Sequence, residues 1–223
     1  MTDMENLERK LVGQDGAPVG KVRIAAEDAM MNELLSPILA ELVREYPDIE
    51  LEVLTDNDVL NLSHREADLT LRPVNKPQAT LEGERIGTIE SAIYAATSYR
   101  KRHTDLDLEH SPEQALWILP DESFSHLATG RWYRKHLKNA SSIIRCNSLQ
   151  AMHALARAGA GLAALPCYLG DSTKELTRLS EPLEGEGVDL WLMVNHDTQQ
   201  MARVRIVMEF LTARLTQLTP QGE

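Results

Sequence analysis

The first third of this chain alternates strand-like runs with amphipathic stretches, and few folds accommodate that pattern. Residues 21–26 and 49–54 alternate apolar with polar or acidic side chains, as half-buried strands do. An amphipathic helix lies between them, with Pro37 tolerable if it falls in the first full turn. A short helix at 58–65 and a third strand at 68–72 complete a βαβαβ order, which predicts a parallel sheet with right-handed crossovers.

A second alternation follows a polar stretch at 73–84 and an apolar run at 92–96. The pattern predicts strands at 115–119, 142–146, 161–165 and 189–194 and helices at 125–137, 149–158 and 200–215. The apolar stripe expected to face inward from the last helix consists of Val204, Val207, Met208, Leu211 and Leu215. Two α/β units joined by a long connection are typical of a bilobal binding protein.

Charge and composition exclude several classes of function. With 34 acidic against 23 basic residues, the formal net charge of −11 disfavours binding of DNA or RNA by this chain alone, because cationic side chains supply most non-specific affinity. No apolar run approaches the roughly 18 residues of a membrane span, and residues 1–10 lack the features of a signal peptide. Cys146 and Cys167 do not form a disulfide scaffold. We therefore expect a cytoplasmic protein that does not bind a membrane.

No catalytic or cofactor motif is found. The seven histidines show no metal-ligand spacing, and neither a phosphate-binding loop nor a nucleophile elbow is present. A GxG at Gly159 and Gly161 follows a helix and precedes a strand, the wrong order for a dinucleotide site. Gly159 is instead predicted to end the helix in a left-handed conformation, and Gly161 to permit close packing. We expect no enzyme activity, no cofactor and no metal.

Five motifs, taken in order, resemble one family. They are GKVRIA at 20–25, YPDIEL at 46–51, ADLTLR at 67–72, AGAGLAALP at 158–166, and LWL at 190–192 with the Arg203-Val204-Arg205 helix. Each is weak alone, but their order and intervals are specific. From about Leu7 to Leu215 the chain resembles the effector-binding, or co-inducer, domain of LysR-type transcriptional regulators.

The resemblance implies an α/β fold of two Rossmann-like lobes with a hinge of two crossing strands, at about 92–96 and 190–194, of the type 2 periplasmic-binding-protein-like kind. Residues 1–18 would be a residual linker helix and linker. Residues 19–93 and 195–218 would form effector-binding lobe I, and residues 94–194 lobe II. A co-inducer in the interlobe cleft would shift the dimer arrangement and so control transcription.

Ligand contacts are expected from loops at the carboxyl ends of strands. The candidates are Ala26, Glu27, Asp28, Asp56, Arg72, Ser123, Phe124, Asn147 and Ser148. Because the first loop carries Glu27 and Asp28 in place of a hydroxyl residue, an amine or a polar neutral ligand is favoured there over a carboxylate.

Several of these residues have a second interpretation. Glu27 and Asp28 could be a catalytic pair, although acidic residues also favour helix N-termini. Arg72 could bind ligand or cap the sheet edge at the surface, and Ser148 could contact ligand or only cap a helix. Cys146 could be a redox sensor, but a buried structural cysteine is favoured.

The resemblance also implies partners. We expect a homodimer or tetramer formed through helices at about 34–46 and 149–158, a small-molecule effector, and contact with promoter DNA only through the family's winged helix-turn-helix. That module is absent from this sequence, and residues 4–12 resemble only the tail of its linker helix, so the chain is interpreted as a piece of a longer regulator or else a standalone sensor. The alternatives are a bilobal solute-binding protein of a transporter and an enzyme on the same fold.

Overall fold

The computed structural model describes residues 18–55, 67–75, 82–108, 110–122, 128–137, 140 and 143–218. The chain divides into unit 1, Met1–Thr88 with Asp189–Glu223, and unit 2, Ile89–Val188. The strands are β1 (Gly20–Ala26), β2 (Ile49–Thr55), β3 (Leu69–Pro73), β4 (Glu82–Ile89), β5 (Ser91–Ala96), β6 (Trp117–Pro120), β7 (Ile143–Cys146), β8 (Ala163–Pro166), β9 (Leu176–Arg178) and β10 (Val188–Val194). The α-helices are α1 (Asp28–Met30), α2 (Ser36–Glu45), α3 (Thr97–Arg102), α4 (Ala128–His136), α5 (Leu149–Arg157), α6 (Cys167–Asp171) and α7 (Ala202–Leu218), with a π-helical turn at Met31–Leu35 and a 3-10 turn at Pro112–Gln114.

Unit 1 is built on a five-stranded sheet of order β2-β1-β3-β10-β4. β1 runs parallel to both β2 and β3, which confirms the parallel order predicted from the βαβαβ pattern. β10 returns antiparallel to β3. The carboxyl ends of β1 and β3 therefore lie at the same edge of the sheet, with Ala26 level with Leu71.

Helix α7 contributes the apolar stripe expected from its sequence, with one exchange. Val204, Val207, Leu211 and Leu215 are buried as predicted. Met208 is only partly buried, and Phe210, which was not in the predicted stripe, is buried in its place. The ring of Phe210 meets Tyr46 edge-on at 6.2 Å, so the helix also contacts the residue that follows α2.

The helix expected between the first two strands begins at Asp28, two residues after the end of β1. Helical backbone runs from Asp28 through α1, the π-helical turn and α2 to Glu45, so Pro37 lies well inside it. The N–H of Ser36 bonds to the carbonyl of Met31, five residues back. Because a proline within a helix removes one backbone hydrogen bond and crowds the preceding turn, the wider turn just before Pro37 accommodates the ring.

Strand β4 was not predicted, since its first residues fall within the stretch interpreted as a polar separator. Its first four residues are exposed, and it contains Gly83, so it lacks the apolar alternation of a strand. Glycine at this position has a structural reason: a Cβ on Gly83 would lie 2.6 Å from the carbonyl oxygen of Leu192 in β10. Strand β5, where one crossing strand is expected, lies in unit 2, and unit 2 begins at Ile89. The expected bounds of the two lobes stay a prediction.

Unit 2 contains a three-stranded antiparallel sheet, β8-β5-β9, and a parallel pair, β6 and β7. Its core includes Trp117, Tyr133, Ile93 and Leu162. The buried hydroxyl of Tyr133 accepts a hydrogen bond from the N–H of Ala164 at 2.7 Å, which ties α4 to β8. The strands predicted at 115–119, 142–146 and 161–165 correspond to β6, β7 and β8 with shifts of one or two residues.

The two glycines of the GxG motif have the roles predicted for them. Gly159 follows α5 with φ of 80°, in the left-handed region that ends helices. A Cβ on Gly161 would lie 2.6 Å from the carbonyl oxygen of Leu116, so only glycine permits that approach. Neither glycine begins a helix, as a dinucleotide site would require.

Candidate ligand-binding site

The carboxyl ends of β1 and β3 bring together three of the residues expected to contact a ligand: Glu27, Asp28 and Arg72. Ala26 ends β1 and is fully buried, so its methyl group belongs to the core. Since Ala26 is level with Leu71, Glu27 directly after β1 and Arg72 within β3 follow at about the same height. The sheet register alone therefore places an acidic and a basic side chain side by side.

Glu27 and Arg72 form a buried pair of opposite charges. Nη1 of Arg72 lies 3.9 Å from Oε1 of Glu27, and the two side chains are only 6% and 12% exposed. This distance fits an ion pair but is longer than a hydrogen bond. The burial of Arg72 contradicts its interpretation as a surface residue capping the sheet edge.

Burial raises the pKa of Glu27 from 4.5 to about 7, because a carboxylate loses solvation in this environment. Arg72 acts in the opposite direction and the neighbouring Asp28 adds to the increase, but desolvation is the largest cause. Near neutral pH the Glu27 carboxyl is thus divided between its protonated and ionised forms. Such a group can exchange a proton when the charge around it changes.

Asp28 has a different environment, although it is adjacent in sequence. Its Oδ1 accepts a hydrogen bond from the N–H of Ala29 at 2.7 Å, in the first turn of α1. Glu27 occupies the N-cap position and makes no capping hydrogen bond with its side chain. The helix-terminus interpretation therefore fits Asp28, whereas the carboxyl of Glu27 faces Arg72.

Trp191 is a residue of this site that the sequence did not indicate. It pairs with Arg72 across β10 and β3, so the two side chains project from the same face of the sheet. Its indole nitrogen is buried and donates no hydrogen bond to the residues that the structure describes. A buried N–H without an acceptor is uncommon and points to a group that binds there. The LWL motif contains Trp191, but only the antiparallel register places it beside Arg72.

In unit 2, the expected contacts Asn147 and Ser148 follow β7 and precede α5. Ser148 is the N-cap of α5, and its Oγ accepts a long hydrogen bond from the N–H of Ala151 at 3.4 Å. Asn147 is exposed. Gln150, which the sequence did not single out, has a buried amide nitrogen with no acceptor in the described part of the chain. The capping interpretation of Ser148 is thus supported, and its contact with a ligand stays a prediction.

The remaining expected contacts, Asp56, Ser123 and Phe124, lie outside the described residues, as do the helix predicted at 58–65 and the segment at 1–17.

The environment of Cys146 does not favour a redox sensor. Burial and the nearby carboxylate of Asp121 both raise the pKa of its thiol, which disfavours the reactive thiolate. Cys167 lies beside a network in which the Tyr94 hydroxyl donates to Asp171 at 2.8 Å and Arg178 Nε donates to Tyr94 at 3.1 Å. Burial also raises the pKa of Cys167.

Within the described ranges, no group of three or more histidine, cysteine or acidic side chains could hold a metal ion. None of the described helices combines the length and apolar character needed to cross a bilayer.

The model of the LysR substrate binding domain matches residues 15–216. The chain belongs to this family. The match confirms the resemblance drawn from the sequence motifs, and with it the α/β fold of the type 2 periplasmic-binding-protein-like kind. A LysR substrate-binding domain is a binding module and not an enzyme, in agreement with the expectation of no catalysis.

Individual LysR-type proteins extend this finding. An HTH-type transcriptional regulator of Xanthomonas campestris pv. campestris is 28% identical over 101 residues, 45% of this chain, and the match spans less than a third of that protein (29%). The regulator CrgA of Neisseria meningitidis is 22% identical over 96% of this chain and 74% of its own length. The solved regulatory domain of CrgA superposes with a TM-score of 0.75, at 20% identity, over 89% of this chain and all of that domain. At this identity the structural likeness shows the fold alone.

Proposed function

We propose that this chain is the effector-sensing part of a LysR-type transcriptional regulator, and that it binds a small molecule at the carboxyl ends of β1 and β3. The observation that carries the proposal is the buried pair of Glu27 and Arg72, with the indole N–H of Trp191 on the same face of the sheet. Buried charges are costly unless they are paired, and groups with strongly shifted pKa values are frequent at functional sites. Their position at the strand ends is where α/β folds place ligands.

The proposal includes the coupling of binding to transcription. A ligand that binds one conformation of the domain more tightly shifts the population toward it, and about 2 kcal/mol of differential affinity gives tens-fold coupling. In a homodimer or tetramer, that shift would change how the DNA-binding modules of a full-length regulator meet the promoter. We place this activity in the cytoplasm. The family match does not favour a transporter's solute-binding protein.

A thermal-shift screen against metabolites tests the proposal. A ligand present at about 100 times its Kd adds about 2.7 kcal/mol to the free energy of unfolding and raises the Tm by several degrees. We expect at least one compound among organic acids, amines, sugars and aromatic metabolites to produce this increase. If none of these classes changes the Tm, the sensing function is contradicted.

A further inference from the structure

The charges around Glu27 determine which ligand this site can accept. Among the described residues, the charged groups that act on the Glu27 carboxyl are Arg72 on β3 and Asp28 on its own helix. When Glu27 is ionised, it balances the charge of Arg72. When Glu27 is protonated, it no longer offsets the positive charge of Arg72.

An anionic ligand group and an ionised Glu27 would compete for the same guanidinium. Two anions beside one buried cation are unfavourable, because the low dielectric of a buried site strengthens their repulsion. The carboxyl of Glu27 can remove this repulsion by taking up a proton. The indole N–H of Trp191, on the same face as Arg72, supplies a second donor for a ligand oxygen.

We infer that the ligand of this site carries an anionic oxygen group, which Arg72 binds, and that Glu27 takes up one proton as the ligand binds. The inference rests on the proposed function and specifies its ligand class. It differs from the preference for an amine or a polar neutral ligand drawn from the sequence, because Glu27 already faces a cation of the protein itself. The proton comes from solvent and stays on Glu27 while the anion is bound.

The coupling has a definite sign. Burial already raises the pKa of Glu27 to about 7, so the protonated form is readily populated near neutral pH. Binding of the anion stabilises that form further. The affinity for an anionic ligand therefore falls as the pH rises through the pKa of Glu27, by about tenfold in total for each unit by which binding raises that pKa. A cationic ligand would show the opposite dependence.

The test is an NMR titration of the glutamate side-chain carboxyl carbons, with acetate as the probe anion. The signal of Glu27 is assigned by its loss in Glu27→Gln, and exposed Glu33 on the same helical segment is the internal reference for ionic strength. We expect saturating acetate to raise the pKa of Glu27 by about one unit or more. Chloride and methylammonium at equal ionic strength should not raise it, and Glu33 should not respond to acetate.

A pair of variants separates the role of Arg72 from a general effect of salt. Arg72→Lys keeps the positive charge and should retain the acetate response of Glu27, and Arg72→Met should abolish it. An unchanged pKa of Glu27 in acetate, or a response that survives Arg72→Met, would overturn the inference. Neither result would affect the thermal-shift test of the proposed function, since that screen includes neutral and cationic compounds.

Discussion

The two ends of strand β1 carry ion pairs of similar chemistry in different surroundings. At its beginning, Lys21 and Arg23 both lie 3.1 Å from Glu52 on β2, and these side chains are 37–46% exposed. At its end, Glu27 and Arg72 are almost fully buried. Hydrogen bonds from Arg23 and Lys21 lower the pKa of Glu52, whereas burial raises the pKa of Glu27.

The difference shows that solvent, more than the presence of a partner, decides the charge state of a glutamate here. The exposed pairs keep water and form hydrogen bonds to the ionised carboxylate. The buried pair is separated by 3.9 Å, and its attraction does not compensate for lost solvation. One end of the strand is therefore a solvated surface, and the other holds a buried pair of opposite charges.

The largest effect is expected from Arg72→Met, which breaks the buried pair. At about pH 8 this substitution should lower the free energy of unfolding by about 3 to 5 kcal/mol, because the buried carboxylate of Glu27 is left without its cation. At about pH 5 the cost should be smaller, since Glu27 is then protonated. Urea denaturation at both pH values measures this. Arg23→Met, the same change at the exposed end, should alter stability only within the error of measurement, and equal losses for the two variants would contradict the comparison.

A somewhat smaller effect is expected from the pH dependence of Glu27 itself. Its folded pKa of about 7 lies above the ordinary value of 4.5, so its contribution to stability is full below about pH 4.5 and is lost as the pH rises through 7. Glu27→Gln should remove this pH dependence, which amounts to roughly 2 to 3 kcal/mol in the free energy of unfolding between about pH 5 and pH 8. The measurement is the difference in unfolding free energy between the two proteins across that range. Parallel profiles would show that Glu27 does not titrate as described.

The smallest effect is expected at the exposed end, from Glu52→Gln. The pKa of Glu52 is lowered, so its contribution is present above the ordinary carboxyl pKa and is lost as the pH falls. The stability contribution of Glu52 therefore increases with pH, whereas that of Glu27 decreases. The change should be close to the error of thermal denaturation and should vanish at high salt, because exposed ion pairs are screened. A large loss of thermal stability in Glu52→Gln that does not depend on salt would contradict the contrast between the two ends of β1.

The sequence predicted much of the fold because its elements have a clear periodicity. Strands β1, β2 and β3 and helix α7 each carry an apolar pattern that needs no knowledge of their neighbours. Strand β4 was missed because its first four residues are exposed and include Gly83, so they lack an apolar alternation. The reason for Gly83 is its close approach to β10, a tertiary contact that the sequence does not reveal. The π-helical turn before Pro37 was also missed. It is needed because helical backbone begins as early as Asp28 and Pro37 therefore lies inside the helix, and the sequence does not mark that early start.

The candidate site was predicted only in outline. The rule that ligands lie at the ends of parallel strands identified Glu27 and Arg72 separately. Their contact depends on the β1–β3 register, and the burial of Arg72 depends on what covers the sheet. Trp191 joins them only through the antiparallel return of β10, more than one hundred residues later. The preference for an amine or a polar neutral ligand was drawn from Glu27 and Asp28 alone, because the sequence does not reveal that Glu27 contacts Arg72.

Isothermal titration of a compound that raises the Tm, against wild type, Arg72→Met and the matched control Arg23→Met, tests most directly whether the buried end of β1 is a binding site. We predict that Arg72→Met weakens binding at least about tenfold, the loss of one charge-assisted contact. Arg23→Met should bind as wild type does. Equal affinity for wild type and Arg72→Met would contradict the assignment of this site.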